Sequence, residues 1–110
     1  MINASIRNAV FSDEYAVRQL CVRNNIVLDD YQENWDHLWS RNKYYTQDWE
    51  IGWIVEDSKK VVGFIGNIPR AYTFRDKMMV NDLNLENKYP WNLMLQLWYC
   101  AVERAKDWGL

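Results

Sequence analysis

The chain has 110 residues, of which 49% are hydrophobic and 25% are charged, and this balance is typical of one small globular domain. Its 7 Trp, 7 Tyr and 3 Phe exclude a disordered chain of low complexity. A net charge of −2 gives no broad cationic surface, so nucleic-acid binding is not expected, and without a long apolar run no membrane association is expected.

The first part of the chain predicts one strand and two helices. Residues 4–11 alternate in polarity, which predicts a strand that stops at Ser12. The Ser-Asp-Glu pattern at 12–14 predicts a helix start, because a hydroxyl can accept from an exposed backbone N–H and acids face the positive end of the helix dipole. This helix is expected to run to about Asn24, and residues 29–41 predict a second, short amphipathic helix.

Four β-rich segments follow. Residues 50–56 and 60–68 are joined by a polar connection of hairpin length at 57–59, so we expect them to pair antiparallel. Segments 70–75 and 78–86 predict two further strands that are joined by a turn at Asp76 and Lys77.

The last segment predicts a helix from Pro90 or Trp91 to Trp108, which stops at Gly109. Its apolar residues recur at helical spacing: Leu93, Met94, Leu97, Trp98, Ala101, Val102 and Ala105. The element order predicts a single α+β domain over residues 1–110, in which helices pack on a mostly antiparallel sheet of four to five strands.

The start of the chain and its cysteines indicate a cytoplasmic protein. Residues 1–5 carry neither the basic region nor the apolar stretch of a secretion signal. Cys21 and Cys100 are therefore expected to pack as small hydrophobic side chains without forming a disulfide.

The sequence contains few motifs that could carry chemistry. His37 is the one histidine, so a zinc site of the His and Cys type is not expected, and no metal ligands are assigned. A nucleophilic pair would require the fold to bring a cysteine to His37. The four glycines, at 52, 63, 66 and 109, form neither a phosphate-binding nor a dinucleotide-binding pattern.

An aromatic segment lies between residues 35 and 49, where two interpretations remain open. Its members are Trp35, Trp39, Tyr44, Tyr45 and Trp49. The favoured interpretation is that the two tryptophans at helical spacing form the buried face of the second helix, while the other aromatics fold over the sheet. The alternative is a pocket for an apolar or amphipathic ligand.

Three stretches together resemble the GCN5-related N-acetyltransferase (GNAT) superfamily. Residues 5–9 with Asp13 resemble its first strand and helix start, residues 52–77 its second and third strands, and residues 101–110 the end of the helix that follows its cofactor loop. The resemblance implies an incomplete acyl-CoA N-acyltransferase fold, and acyl transfer from acetyl-CoA or another acyl-CoA to an amine of a small molecule or protein.

The resemblance also implies where the acyl-CoA binds. The fourth strand would offer backbone groups to the pantetheine arm, and the next helix start would hold the diphosphate, which matches the general preference of anions for helix N-termini. The implied residues are Leu85, Asn87, Trp91, Asn92 and Leu93. Residues 35–49 would border the acceptor. No catalytic residue is assigned, although Glu86 is the one acid placed where the family sometimes keeps one.

The loop before the last helix departs from the family pattern. It contains no glycine, Pro90 lacks an N–H, Trp91 adds bulk, and Lys88 offers one charge in compensation. The resemblance further implies strands after Leu110, so the domain is expected to be truncated, with its fourth strand at an open edge. The alternative function is therefore a non-catalytic acyltransferase-like module that self-associates, or binds a partner strand, through that edge.

Overall fold

The computed structural model describes residues 4–24, 31–72, 75–86 and 89–109, and the side chains of these residues except 31–34, 70–72 and 75–82. Its elements in chain order are β1 (Ala4–Asn8), α1 (Glu14–Arg23), α2 (Tyr31–Leu38), β2 (Gly52–Asp57), β3 (Lys60–Tyr72), β4 (Arg75–Leu85) and α3 (Trp91–Asp107). A short 3-10 turn at Phe11–Asp13 precedes α1. None of the helices in these ranges has the length and apolar character needed to cross a bilayer.

The described strands form one antiparallel sheet in the order β1-β2-β3-β4. Each strand pairs with its neighbour in sequence, so the sheet is a meander with β1 and β4 at its two edges. The predicted α+β class and the antiparallel sheet are therefore confirmed. The predicted hairpin between the second and third strands is also confirmed, with its turn at Ser58 and Lys59.

The predicted break between strands 60–68 and 70–75 is wrong, because β3 continues through Pro69. Asn67 donates its backbone N–H to Ile51, so alternate β3 residues, including Pro69, point their backbone toward β2. β2 begins at Gly52, which pairs with Gly66, so no β2 residue lies opposite Pro69. The missing N–H of Pro69 therefore breaks no ladder hydrogen bond.

The turn between β3 and β4 also differs from the prediction. Asp76 and Lys77 lie within β4 rather than in a turn, and the last paired residues before the connection are Tyr72 and Arg75. The connection itself falls outside the described residues.

α1 begins at Glu14, the last residue of the predicted helix-start pattern at 12–14. β1 ends at Asn8, and the carboxylate of Asp13, rather than the hydroxyl of Ser12, accepts from the backbone N–H of Val10 at 2.8 Å. The acidic pair predicted to open α2, at 29–30, lies outside the described residues. α2 ends at Leu38, before the predicted limit of about 41. The predicted last helix is confirmed as α3.

Two hydrophobic cores lie on opposite faces of the sheet. On one face Leu20 of α1, Trp35 of α2 and Trp39, which directly follows α2, pack on Ile54 and Phe64. On the other face α3 contributes the buried residues Leu93, Leu97 and Ala101, which pack on Trp53, Val55, Val62 and Ile65. Because successive strand residues point to opposite faces, β2 supplies both cores, and the sheet is covered by helices on both sides.

Candidate functional site

The residues that the resemblance assigns to acyl-CoA binding lie where β4 ends and α3 begins. Leu85 is the last residue of β4, and Trp91 is the first of α3. The backbone N–H of Glu86 donates to Val62 at 3.0 Å, and that of Tyr89 donates to Glu86 at 3.2 Å. Tyr89, the first residue described after the end of β4, is therefore held next to Glu86 by a backbone hydrogen bond.

The side chains of these residues divide between core and surface. Leu85 and Leu93 are buried in the core beneath α3. The backbone N–H of Leu93 is already engaged, because it donates to the carbonyl of Pro90 at 3.0 Å, so only the backbone of Leu85 could contact a ligand. Trp91 and Asn92 are exposed in the first turn of α3, where Trp91 retains 69% of its accessible surface. Asn87 lies outside the described residues, as does Lys88.

The open edge of β4 presents backbone groups next to this turn. Since Glu86 donates to Val62 of β3, the alternation of an antiparallel ladder points the backbone of Asn84 toward β3. The backbone N–H and C=O groups of Leu83 and Leu85 then point away from β3, toward the open side of the edge strand. No described strand pairs with β4 on that side.

Tyr89 is buried just before the start of α3. Its ring is buried in the α3 core, and its hydroxyl donates to Oδ2 of Asp57 at 2.6 Å. Burial, together with the nearby carboxylate of Asp57, raises the pKa of Tyr89 to about 12, so its hydroxyl is neutral at physiological pH. Pro90 precedes the helix without an N–H, and no side chain caps this end.

Glu86 is engaged in contacts with α1. Its Oε1 accepts from Nε of Arg23 at 3.2 Å, and Arg23 also donates to the backbone carbonyl of Val61. Its Oε2 is buried and has no hydrogen-bond partner among the described residues. This carboxylate therefore links β4 to α1.

The end of α1 makes further polar contacts with β4. The side-chain amide of Asn24 donates to Oδ1 of Asn84, and the amide of Asn84 donates to Sγ of Cys21 at 3.5 Å. Cys21 is buried, as expected, and its sulfur accepts a hydrogen bond where α1 meets β4.

The favoured interpretation of Trp35 and Trp39 as core residues is confirmed, since both are 1% exposed. Their ring centroids lie 4.5 Å apart, and both rings contact Phe64. The indole N–H groups of Trp39 and Trp49 both donate to the backbone carbonyl of Asn67, at 2.7 and 2.8 Å. These aromatics are therefore packed against the protein itself.

The aromatic segment does not adjoin the turn between β4 and α3. It is anchored at Asn67, which pairs with Asn81 of β4, whereas Leu85 pairs with Gly63. Four residues along a strand separate the two places by about 13 Å. The two regions that the resemblance assigns to donor and acceptor are thus apart along the sheet.

The structure does not form the cysteine–histidine pair that the sequence left open. His37 is exposed on α2, whereas Cys21 is buried. Cys100 is half-buried on α3, on the other side of the sheet, where burial raises the pKa of its thiol and so disfavours the thiolate. No disulfide joins these two cysteines, both of which lie in described helices.

Sequence reasoning missed that α3 is apolar on two sides. Trp98 and Val102 share the helical spacing of the other apolar residues, but both are exposed, with 39% and 55% of their surface accessible. A signal was present, because residues 91–102 contain no charged side chain. A helix with one buried face normally carries charge on the other.

Comparison with known proteins assigns no family to this chain. Neither a protein-family model nor a curated protein matches it.

Proposed function

We propose that the chain is an acetyltransferase-like domain that places an acyl-CoA along the open edge of β4 and passes its acyl group to an amine. The observation that supports this proposal is the order of elements around that edge. α1 and α2 cover one face of the meander, α3 covers the other, and α3 follows β4 in the chain. This order of elements along the chain is the one that the resemblance implies.

The edge supplies groups that suit the pantetheine arm of the donor. That arm carries amides, and the outward backbone N–H and C=O of Leu83 and Leu85 can pair with them as a neighbouring strand would. The diphosphate is less well served, because Pro90 offers no N–H at the helix start and residues 89–94 contain no glycine. We therefore expect weak binding, dominated by the pantetheine arm.

A titration tests the proposal. Acetyl-CoA and acetyl-pantetheine should each give a saturable change in tryptophan fluorescence and raise the melting temperature, because a ligand that binds only the folded state stabilises it. The two ligands should bind within about threefold of each other if the diphosphate contributes little. Pro90→Ala, which restores an N–H to the helix start, should tighten acetyl-CoA and leave acetyl-pantetheine unchanged. Flat curves at millimolar ligand would contradict the proposal.

The same geometry favours a second candidate, a non-catalytic module that pairs with a strand of another polypeptide chain along β4. The specific observation is that the start of α3 has neither an N–H at Pro90 nor a side-chain cap, while no described strand covers the outer edge of β4. Backbone pairing needs no charge and tolerates many partner sequences.

A second copy of the chain is the available probe for this candidate. The ladder alternation points the backbone N–H of Asn81 outward, so Asn81→Pro removes a donor at the edge without removing a bond to β3. Raising the concentration should slow amide exchange at Leu83 and Leu85 in the unchanged chain and in the control Asn81→Ala. Asn81→Pro should weaken this protection. Exchange that does not change with concentration would argue against edge pairing between copies.

A further inference from the structure

α3 carries an exposed apolar stripe opposite its buried face. The exposed members and their accessible fractions are Trp91 69%, Leu95 53%, Trp98 39%, Tyr99 66% and Val102 55%. Steps of four, three and four residues join positions 91, 95, 98 and 102, which is the spacing of a helix–helix contact seam. The residues that face the sheet lie on the other side of the helix: Leu93, Leu97 and Ala101.

The size of this stripe exceeds that of scattered surface apolar residues. Three partly exposed aromatic side chains, with Leu95 and Val102, leave on the order of 500 Å² of apolar surface accessible. Contiguous patches of this size on soluble proteins usually mark interaction sites. The absence of charge from residues 91–102 means that the partner is recognised by shape and apolar contact.

The stripe is complementary to itself. When two copies of α3 are placed antiparallel, Trp91 of one copy lies opposite Val102 of the other, and Leu95 lies opposite Trp98. Each large ring then meets a smaller aliphatic side chain, as packing of ridges into grooves requires. An interface with two-fold symmetry needs this kind of self-complementary patch.

The exposed area of the stripe and its lack of charge are also compatible with a dimer of the chain. Two stripes bury roughly 1,000 Å² in total, which is near the lower limit for a specific protein interface. The two copies carry the same net charge of −2, but the seam itself is uncharged and brings no like charges together. A second copy is therefore a sufficient partner.

We propose that two copies of this chain form a symmetric dimer by packing their α3 helices antiparallel along the stripe of Trp91, Leu95, Trp98, Tyr99 and Val102. This surface is separate from the edge of β4, so the proposal holds whether or not the edge binds a ligand or a strand. The interface is small, and we expect association to be weak, so that the fraction of dimer rises with protein concentration.

Sedimentation equilibrium over a range of concentrations tests the dimer. The unchanged chain should approach dimer mass at the highest concentrations. Leu95→Lys should weaken association by roughly a hundredfold or more, because each dimer would bury two uncompensated charges. Gln96→Lys adds the same charge at an exposed position outside the stripe and should leave association unchanged. Unaltered circular dichroism would show that each variant is folded.

A mixing experiment tests the antiparallel register. Position 95 of one copy faces position 98 of the other, so Leu95→Lys and Trp98→Glu should each be monomeric alone and should associate when mixed. A parallel pair would bring position 95 to position 95 and would gain nothing from mixing. A monomeric unchanged chain, association whose strength Leu95→Lys leaves unchanged, or variants that fail to associate on mixing would overturn the proposal.

Discussion

At the residue level, Arg7 holds the start of the fold together. Its guanidinium donates to both carboxylate oxygens of Asp13, at 2.9 and 2.8 Å, and also to Glu56 of β2. Burial opposes ionisation of Asp13, but the hydrogen bonds from Arg7 and from the N–H of Val10 outweigh it, so the pKa of Asp13 is lowered. The pKa of Arg7 is correspondingly raised, first of all by its hydrogen bond to Asp13.

We predict that Asp13→Asn destabilises the fold by about 2 kcal/mol at neutral pH, because charge-assisted hydrogen bonds are lost. The folded pKa of Asp13 lies below its ordinary value of 3.8, so the stabilisation is present at neutral pH and is lost as pH falls through the folded pKa. Urea denaturation at neutral and strongly acidic pH would measure the difference. Ser12→Ala is the control, and a larger loss from it than from Asp13→Asn would contradict this assignment.

Tyr89 gives a second prediction, at alkaline pH. Tyr89→Phe removes the hydroxyl bonded to Asp57 and should cost about 1 kcal/mol at neutral pH. Because the folded pKa of Tyr89 is raised to about 12, its contribution is complete below the ordinary value of 10 and is lost as pH rises toward 12. The variant should lack this part of the alkaline decline in denaturant midpoint. Parallel declines in both proteins would show that Tyr89 is not the titrating group.

At the level of elements, the β2–β3 hairpin is closed by residues in an unfavourable conformation. Ser58 and Lys59 have positive φ angles of 52° and 71°, as a two-residue turn between twisted strands requires. Residues with a Cβ resist this region, whereas glycine does not. The length of the connection therefore predicted the position of the turn correctly, although the residues in the turn disfavour its left-handed backbone conformation.

We predict that Lys59→Gly stabilises the protein by about 0.5–1 kcal/mol, since relief of the left-handed backbone exceeds the entropy cost of glycine. Lys60→Gly, one residue later within β3, should instead destabilise it by a similar amount. Denaturant midpoints of the two variants give the comparison. If Lys59→Gly were as damaging as Lys60→Gly, the turn geometry would be wrong.

At the level of the whole molecule, one sheet serves two cores. β2 and β3 contribute residues to both faces, and a bidentate ion pair between Arg104 of α3 and Glu50, at 3.0 and 3.1 Å, ties the helix to the chain entering β2. Neither core can be lost without exposing one face of the shared sheet. We therefore expect the domain to unfold in a single step.

We predict that Leu97→Ala destabilises the domain by about 2–5 kcal/mol, because the side chain is fully buried beneath α3. Circular dichroism and tryptophan fluorescence should still report one coincident transition, although Trp35 and Trp39 lie on the opposite face of the sheet. Leu95→Ala, exposed on the same helix, should cost less than about 0.5 kcal/mol in dilute solution. Separate transitions would mean that the cores are independent.

The sequence determined those features that depend on local patterns. Spacing of apolar residues predicted α3, alternation predicted β1, β-rich composition predicted β2 and the start of β3, and a short polar connection predicted the hairpin, because these are properties of neighbouring residues. The same reasoning failed at Pro69, since whether a strand tolerates proline depends on which partner strand lies beside it.

Only the tertiary structure decided which side chains were available for function. Tyr89 and Glu86 could not be assigned from sequence, because their contacts, with Asp57 and Arg23, join residues far apart in the chain. Trp98 and Val102 have the same apolar character as Leu97, and only the packing of α3 on the sheet determined that Leu97 is buried while the other two face solvent. Burial depends on what the rest of the chain places against a helix, and this is not encoded in the helix alone.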